Sequence, residues 1–76
     1  MDYRERITAD YRVMVGKPVI KGTRITVELI LQKMSQGATI ENIVEMYPHL
    51  DKEDVLAALM YASAVIANEE IIETPK

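Results

Sequence analysis

The sequence predicts a mainly α-helical domain, a three-helix bundle containing a helix-turn-helix and preceded by a short β segment. Apolar residues recur at helical spacing in three segments between residues 26 and 67. Each segment begins after a residue that commonly caps helices, namely Thr26, Thr39 and Asp51. Before them, short β-branched runs separated by Gly and Pro indicate strands and turns.

Residues 1–25 are expected to form a basic, β-rich arm. Short strands are predicted at residues 6–8, 13–15, 19–21 and 23–25, with a turn at Lys21-Gly22 between the last two. If the apolar pair Val19-Ile20 faces the core, the cations of this segment face solvent: Lys17, Lys21 and Arg24.

Residues 26–67 are expected to form the helical bundle. Gly37 suits the left-handed position that ends the first helix, and Pro48 stops the second helix, predicted over residues 40–47. Asp54 at the N3 position of the third helix makes something close to a capping box with Asp51. Residues 68–76 are expected to be a frayed acidic tail. The length of 76 residues predicts a single domain.

The third helix is apolar on almost every face. From Val55 to Ala67, twelve of thirteen residues are apolar and Ser63 alone is polar. A three-helix domain cannot cover every face of its last helix, so we expect a self-interface comprising Leu56, Met60 and Tyr61. The alternative is that the alanines are merely good helix formers.

The size of the chain also favours self-association. So small a domain buries only about 60% of its unfolded surface. The sequence has no cysteine for a disulfide, so a homodimer or higher oligomer is the natural means of stabilisation. The start is charged, and no apolar run is long enough to cross a bilayer. We therefore expect a cytoplasmic protein with no membrane partner.

The charge distribution places a basic end on an acidic body. The net charge of −3 divides into +3 for residues 1–24, from six Lys or Arg against three acids, and −6 for residues 25–76, from three Lys against nine acids. A basic end of this kind can attract an anionic partner, or pair with the acidic face of another subunit.

The second and third helices, with the turn at residues 48–50, match a helix-turn-helix. In DNA-binding examples the second of these helices enters the major groove by its N-terminal turns. Here Asp51, Glu53 and Asp54 would repel phosphate, so we favour a packing motif without DNA contact by this helix. The better candidates lie in the arm, where paired ribbons from two subunits could enter a groove. The predicted DNA contacts are Lys17, Lys21 and Arg24, with Arg12, Arg6 and Arg4 as phosphate clamps. The alternative is a solvated turn whose positive charges offset the acidic body.

The sequence shows no catalytic constellation. Lys21 precedes Gly22, the wrong order and spacing for a nucleotide-binding phosphate loop. His49 is the only histidine, and in a turn it is far more typical of a surface residue than of a metal ligand. No nucleophile–base pair is visible. We expect no enzyme, no metal and no cofactor.

Several segments together resemble the bacterial and archaeal "domain of unknown function 433" family: GKPVIKGTRI at residues 16–25, GATIENI at 37–43, YPHL at 47–50 and DVLAALMYA at 54–62. The resemblance covers residues 6 to 62. It implies a homeodomain-like helix-turn-helix fold and kinship with VapB-like antitoxins, which are often encoded beside a PIN-like ribonuclease toxin. It also implies operator binding as a dimer. Two positions depart from the family's pattern: Val15 stands where a second glycine is common, and Thr26 where proline is common.

Together with the charge pattern, this resemblance implies an antitoxin-like, DNA-binding partner of a PIN-type ribonuclease. The acidic tail would dock in a basic cleft of the toxin, with Ile71 and Ile72 as anchors that fold on binding. The alternative is a homo-oligomeric protein-interaction module that binds no nucleic acid.

Overall fold

The computed structural model describes residues 2–73, with side chains described as far as residue 68. Three helices follow a short two-stranded antiparallel sheet, which confirms the mainly α fold class. The elements are β1 (Ile7–Thr8), β2 (Val19–Ile20), α1 (Val27–Ser35), α2 (Ile40–Met46) and α3 (Lys52–Glu73), with 3-10 turns at Tyr3–Glu5 and Met14–Gly16.

The arm contains two of the four predicted strands. Ile7 pairs with Ile20 and Thr8 with Val19. The prediction of a strand at residues 13–15 is wrong, because Met14 and Val15 adopt left-handed φ angles of 51° and 55° and turn the chain.

The strand predicted at residues 23–25 is also replaced by a turn. The Thr23 hydroxyl donates to the Ile20 carbonyl at 2.8 Å and accepts from the Ile25 N–H at 3.0 Å. These bonds close the chain on itself, and only an isolated bridge from Val19 to Thr26 remains of the expected pairing.

All three predicted helix caps are confirmed. Thr26 Oγ1 accepts from the Leu29 N–H at 3.0 Å, and Thr39 forms a reciprocal capping box with Asn42. At the start of α3, Asp51 Oδ1 accepts from the Asp54 N–H at 2.9 Å. Asp54 Oδ2 accepts from the Asp51 N–H at 3.0 Å in return. Each cap satisfies backbone donors that the first helical turn leaves without a partner.

The core lies where the arm meets all three helices. Its members are almost completely excluded from solvent: Val19, Ile20, Val27, Ile30, Ile43, Leu50, Val55, Ala57 and Ala58. Val19 and Ile20 of β2 are buried, and the cations on either side of them, Lys17, Lys21 and Arg24, are exposed as predicted. Ala57 and Ala58 are therefore core residues of α3 rather than helix formers alone.

Helix α3 is far longer than the elements it packs against. Its 22 residues span about 33 Å, whereas the nine residues of α1 span about 14 Å. It continues past Ala67 to Glu73, so the tail predicted from residue 68 begins within the helix. Within the described residues, none of the helices has the length and apolar character needed to cross a membrane.

Candidate nucleic-acid interface

Arg6, one of the predicted phosphate clamps, is engaged inside the molecule. Its Nη1 lies 2.9 Å from Asp54 Oδ1 and 3.1 Å from Asp51 Oδ1, and its Nη2 lies 3.9 Å from Glu53 Oε1. The hydrogen bond to the Asp54 carboxylate raises the pKa of the Arg6 guanidinium. The structure thus uses this cation to neutralise the carboxylates crowded at the start of α3.

The start of α3 consequently presents little that would attract a nucleic acid. Asp51 and Glu53 remain exposed, Arg6 is already bound to these carboxylates, and the exposed Lys52 is one cation against three acids in residues 51–54. The pKa of Asp51 is lowered, mainly by the hydrogen bond from the Asp54 backbone N–H, with a smaller contribution from Arg6, so this carboxylate stays ionised. The carboxylates at the start of α3 thus cap the helix and hold Arg6 of the arm.

Three other predicted cations converge on one surface of the arm. Arg12, Lys17 and Arg24 line a shallow cavity of ≈ 660 Å³, which we call the basic concavity. The remaining lining residues are Tyr11, Met14 and Val15. Within residues 2–68, no carboxylate lines this cavity. Two predicted contacts lie outside this cluster. Lys21 is exposed beside Arg6, to whose carbonyl its backbone N–H donates at 2.8 Å, and Arg4 pairs with Asp2 and lines a different cavity.

The cations of the basic concavity form only solvent-exposed ion pairs or none among the described side chains. Arg12 Nη2 lies 3.0 Å from Asp10 Oδ2, and Lys17 Nζ lies 3.0 Å from Glu28 Oε1. The Arg12 and Lys17 side chains in these pairs are 87% and 56% exposed, and such solvated pairs exchange partners readily. Among the side chains of residues 2–68, Arg24 forms no ion pair.

The loop beside these cations has an unusual backbone. Met14, Val15 and Gly16 are three successive left-handed residues, with φ angles of 51°, 55° and 82°. This region costs a side-chain-bearing residue free energy, most of all a β-branched one such as Val15. A glycine, which is common at position 15 in the pattern that the sequence resembles, would meet no such penalty.

The same loop projects apolar and aromatic side chains into solvent. Tyr11 is 79% exposed and Val15 is 74% exposed, while Met14 is 38% exposed. Met14 and Val15 were not predicted as site candidates because residues 13–15 were expected to be a strand, and Tyr11 lay outside every predicted element. The left-handed turn exposes Val15 beside the three cations.

The residues of the predicted self-interface do not share one face. The ring of Tyr61 packs edge-to-face on Tyr3, with centroids 6.0 Å apart and planes at 73°, so it belongs to the fold itself. Met60 is 42% exposed and Leu56 is half-buried. Successive residues of a helix point about 100° apart, which separates Met60 from Tyr61.

A second apolar surface lies between α1 and α3. It is a groove of ≈ 340 Å³, where Val65 and Ile66 are 39% and 58% exposed. The other lining residues are Pro18, Val27, Glu28, Leu31, Tyr61 and Ala62. The predicted toxin anchors, Ile71 and Ile72, have side chains outside the described residues.

The chain matches one protein family and is similar in sequence to uncharacterized proteins of other organisms. A family model described as "Protein of unknown function (DUF433)" matches residues 7–62. In Sinorhizobium fredii (strain NBRC 101917 / NGR234), the uncharacterized protein y4eO is 34% identical over 61 residues, which is 80% of this chain. The chain spans only 28% of that relative's length. An uncharacterized protein of Archaeoglobus fulgidus (strain ATCC 49558 / DSM 4304 / JCM 9628 / NBRC 100126 / VC-16) is 71% identical over 24 residues. These residues are 32% of this chain and 67% of the length of that protein.

A solved structure extends the similarity to three dimensions. The crystal structure of a DUF433 member protein from Anabaena variabilis ATCC 29413 superposes with a TM-score of 0.75 at 30% sequence identity. The match covers 90% of this chain and 69% of that chain. The arm and the three helices are therefore an arrangement that occurs in a related chain.

Proposed function

The chain belongs to the family described as "Protein of unknown function (DUF433)", and from that premise we propose that it is an antitoxin-like, DNA-binding partner of a PIN-type ribonuclease. Kinship with VapB-like antitoxins and a homeodomain-like origin of the helix pair are parts of the same proposal. The role assigns no catalytic residue and no cofactor, and it places the protein in the cytoplasm.

The observation that carries DNA binding is the basic concavity. Arg12, Lys17 and Arg24 converge on one cavity, although the chain as a whole has a net charge of −3. A local excess of cations on an acidic protein directs a polyanion to that site and away from the rest of the surface. The pairs that hold Arg12 and Lys17 are exposed, so phosphate can replace the carboxylates.

Dimer formation would double this surface. Met60 lies exposed on α3, a helix that its own domain covers incompletely, and we place a homodimer contact on that side. A dimer with two-fold symmetry presents the basic concavity twice, and the two arms could then contact neighbouring stretches of one duplex. The tail with Ile71 and Ile72 remains the predicted toxin contact. Neutralisation that survives deletion of residues 68–76 would exclude that role.

Electrophoretic mobility of the DNA upstream of the protein's own gene tests the proposal, at low and at physiological salt. Phosphate contacts weaken with salt at a log–log slope of about −0.9 per contact, so Arg24→Ala and Lys21→Ala should each reduce both affinity and slope. Lys33→Ala on α1 is the matched control, because it removes the same charge outside the arm. No shift at low salt, or an equal loss in all three variants, would contradict DNA binding by the arm.

The exposed groove between α1 and α3 favours one alternative, a homo-oligomeric interaction module that binds no nucleic acid. Val65 and Ile66 in this groove offer an apolar contact that would not weaken with salt. Sedimentation over the same salt range separates the two functions. Assembly that is insensitive to salt, without any DNA shift, would identify the module.

A further inference from the structure

We propose that the basic concavity accepts an unpaired nucleotide, with the ring of Tyr11 stacked on its base and Arg12, Lys17 and Arg24 contacting the flanking phosphates. This inference rests on the proposed nucleic-acid binding and adds the strand state of the ligand. The basic concavity would then bind single-stranded nucleic acid in addition to the phosphates of a duplex.

The first argument concerns Tyr11. It is 79% exposed, the highest value among the large hydrophobic side chains described, and it lines the concavity beside the three cations. A site that binds only phosphate needs cations and no aromatic ring. A ring set among cations is the combination with which proteins hold single strands, because every base has a face that can stack.

The second argument concerns how firmly the ring is presented. The carbonyl of Asp10 accepts from the N–H groups of Val13 at 2.7 Å and Gly16 at 3.2 Å, which closes the loop. The carboxylate of Asp10 accepts from the Arg12 backbone N–H at 2.9 Å, a bond that does not depend on where the Arg12 side chain points. Tyr11 sits between these two anchored residues, so little backbone freedom is lost when a ligand binds.

The third argument concerns duplex geometry. In a closed duplex the faces of the bases are covered by their neighbours, and an external ring reaches only groove edges and phosphates. A duplex would therefore use Arg12, Lys17 and Arg24 and leave Tyr11 with little to contact. An unpaired base uses both parts of the concavity, which is why we assign the ring to it.

Fluorescence anisotropy of the full chain with three labelled probes tests the inference: a thymidine single strand, an abasic deoxyribose-phosphate strand of equal length, and the thymidine strand paired with its complement. Tyr11→Ala should weaken binding of the thymidine strand by about 5- to 150-fold, the loss typical of one stacked base. It should leave the abasic strand unaffected. Tyr11→Phe should retain the affinity, because the ring is kept.

Met46→Ala is the matched control, since this α2 side chain is 45% exposed and does not line the concavity. It should change none of the affinities. Thermal melting of Tyr11→Ala confirms the fold, which the exposed position of the side chain leaves intact.

An equal loss on the thymidine and abasic strands, or no loss on either, would overturn the stacking role of Tyr11. A duplex bound more tightly than the single strand and insensitive to Tyr11→Ala would overturn it too, while the proposed DNA binding would stand. Absence of binding to all three probes would refute both.

Discussion

Arg6 Nη1 lies 2.9 Å from Asp54 Oδ1, and this contact joins the arm to α3 across 48 residues of sequence. The Asp54 side chain is only 13% exposed, so the guanidinium takes the place of much of the water that would surround a surface carboxylate. The same Nη1 also lies 3.1 Å from Asp51 Oδ1. One cation thereby holds together carboxylates that would otherwise repel each other.

Removing this cation should destabilise the fold. We expect Arg6→Ala to lower the thermal midpoint clearly, because the largely buried Asp54 is left without its counter-charge and the arm loses a tether to α3. Arg4→Ala is the matched control, since Arg4 pairs only with Asp2 at 78% side-chain exposure and should change the midpoint little. Melting followed by circular dichroism measures both, and equal midpoints for the two variants would contradict this role of Arg6.

Acid should destabilise the protein partly through Asp51. The hydrogen bond from the Asp54 backbone N–H, helped by Arg6, keeps the pKa of Asp51 in the folded chain below its unfolded value. A carboxyl with a depressed folded pKa contributes stability that is present above about pH 4 and is lost as pH falls through the folded pKa.

Asp51→Asn isolates this contribution, because asparagine still caps the helix but does not titrate. We expect its thermal midpoint to fall less than that of the wild type between about pH 5 and pH 2. Glu41→Gln removes a carboxylate of α2 outside this cluster and should leave the acid sensitivity unchanged. An identical acid response in all three proteins would show that Asp51 does not contribute.

Val15→Gly should stabilise the protein. The left-handed φ of 55° costs a valine about 1 to 2 kcal/mol, and glycine adopts it freely. Part of that gain is offset by the larger freedom of glycine in the unfolded chain, which leaves about 1 kcal/mol. Val13→Gly is the control, since Val13 has an extended φ of −119° and should only lose stability. Urea unfolding measures both, and a destabilised Val15→Gly would exclude strain at this turn.

Met60→Glu should weaken self-association. A carboxylate at an apolar contact between two subunits is buried without a partner, and a loss of at least about tenfold in dimer affinity follows. Met46→Glu, at a similarly exposed methionine on α2, should leave association unchanged. Light scattering over a range of protein concentrations reads both. If Met60→Glu associates with the affinity of the wild type, the interface does not include Met60. The groove at Val65 and Ile66 would then be the next surface to alter.

Local signals in the sequence predicted the helices well. Thr26, Thr39 and Asp51 cap them because each cap bonds to a backbone group three residues ahead, an interaction that needs no tertiary context. The strand expected at residues 13–15 is absent. Val13 and Val15 favour extended structure by themselves, but hydrogen bonds from the Val13 and Gly16 N–H groups to the Asp10 carbonyl close a turn there.

Partners distant in sequence were beyond prediction. Nothing in the charge pattern distinguishes Arg6, which meets Asp54, from Arg12, which stays on the surface. Tyr61 was predicted at a subunit contact because the helix is apolar all round, and the sequence did not predict its edge-to-face contact with Tyr3 of the arm. Such assignments depend on where the arm packs, and helical periodicity carries no information about that.

The packing of the arm on α3 also sets the order of events during synthesis. A ribosome releases the arm before α3, so Arg6 must wait 48 residues for Asp54, an interval of about 2 to 10 s at ordinary rates of translation. Helices form within microseconds once their residues emerge, so elongation governs when the domain closes. Until then Ile7 and Ile20 have no core to enter, and the nascent arm is open to chaperones and proteases.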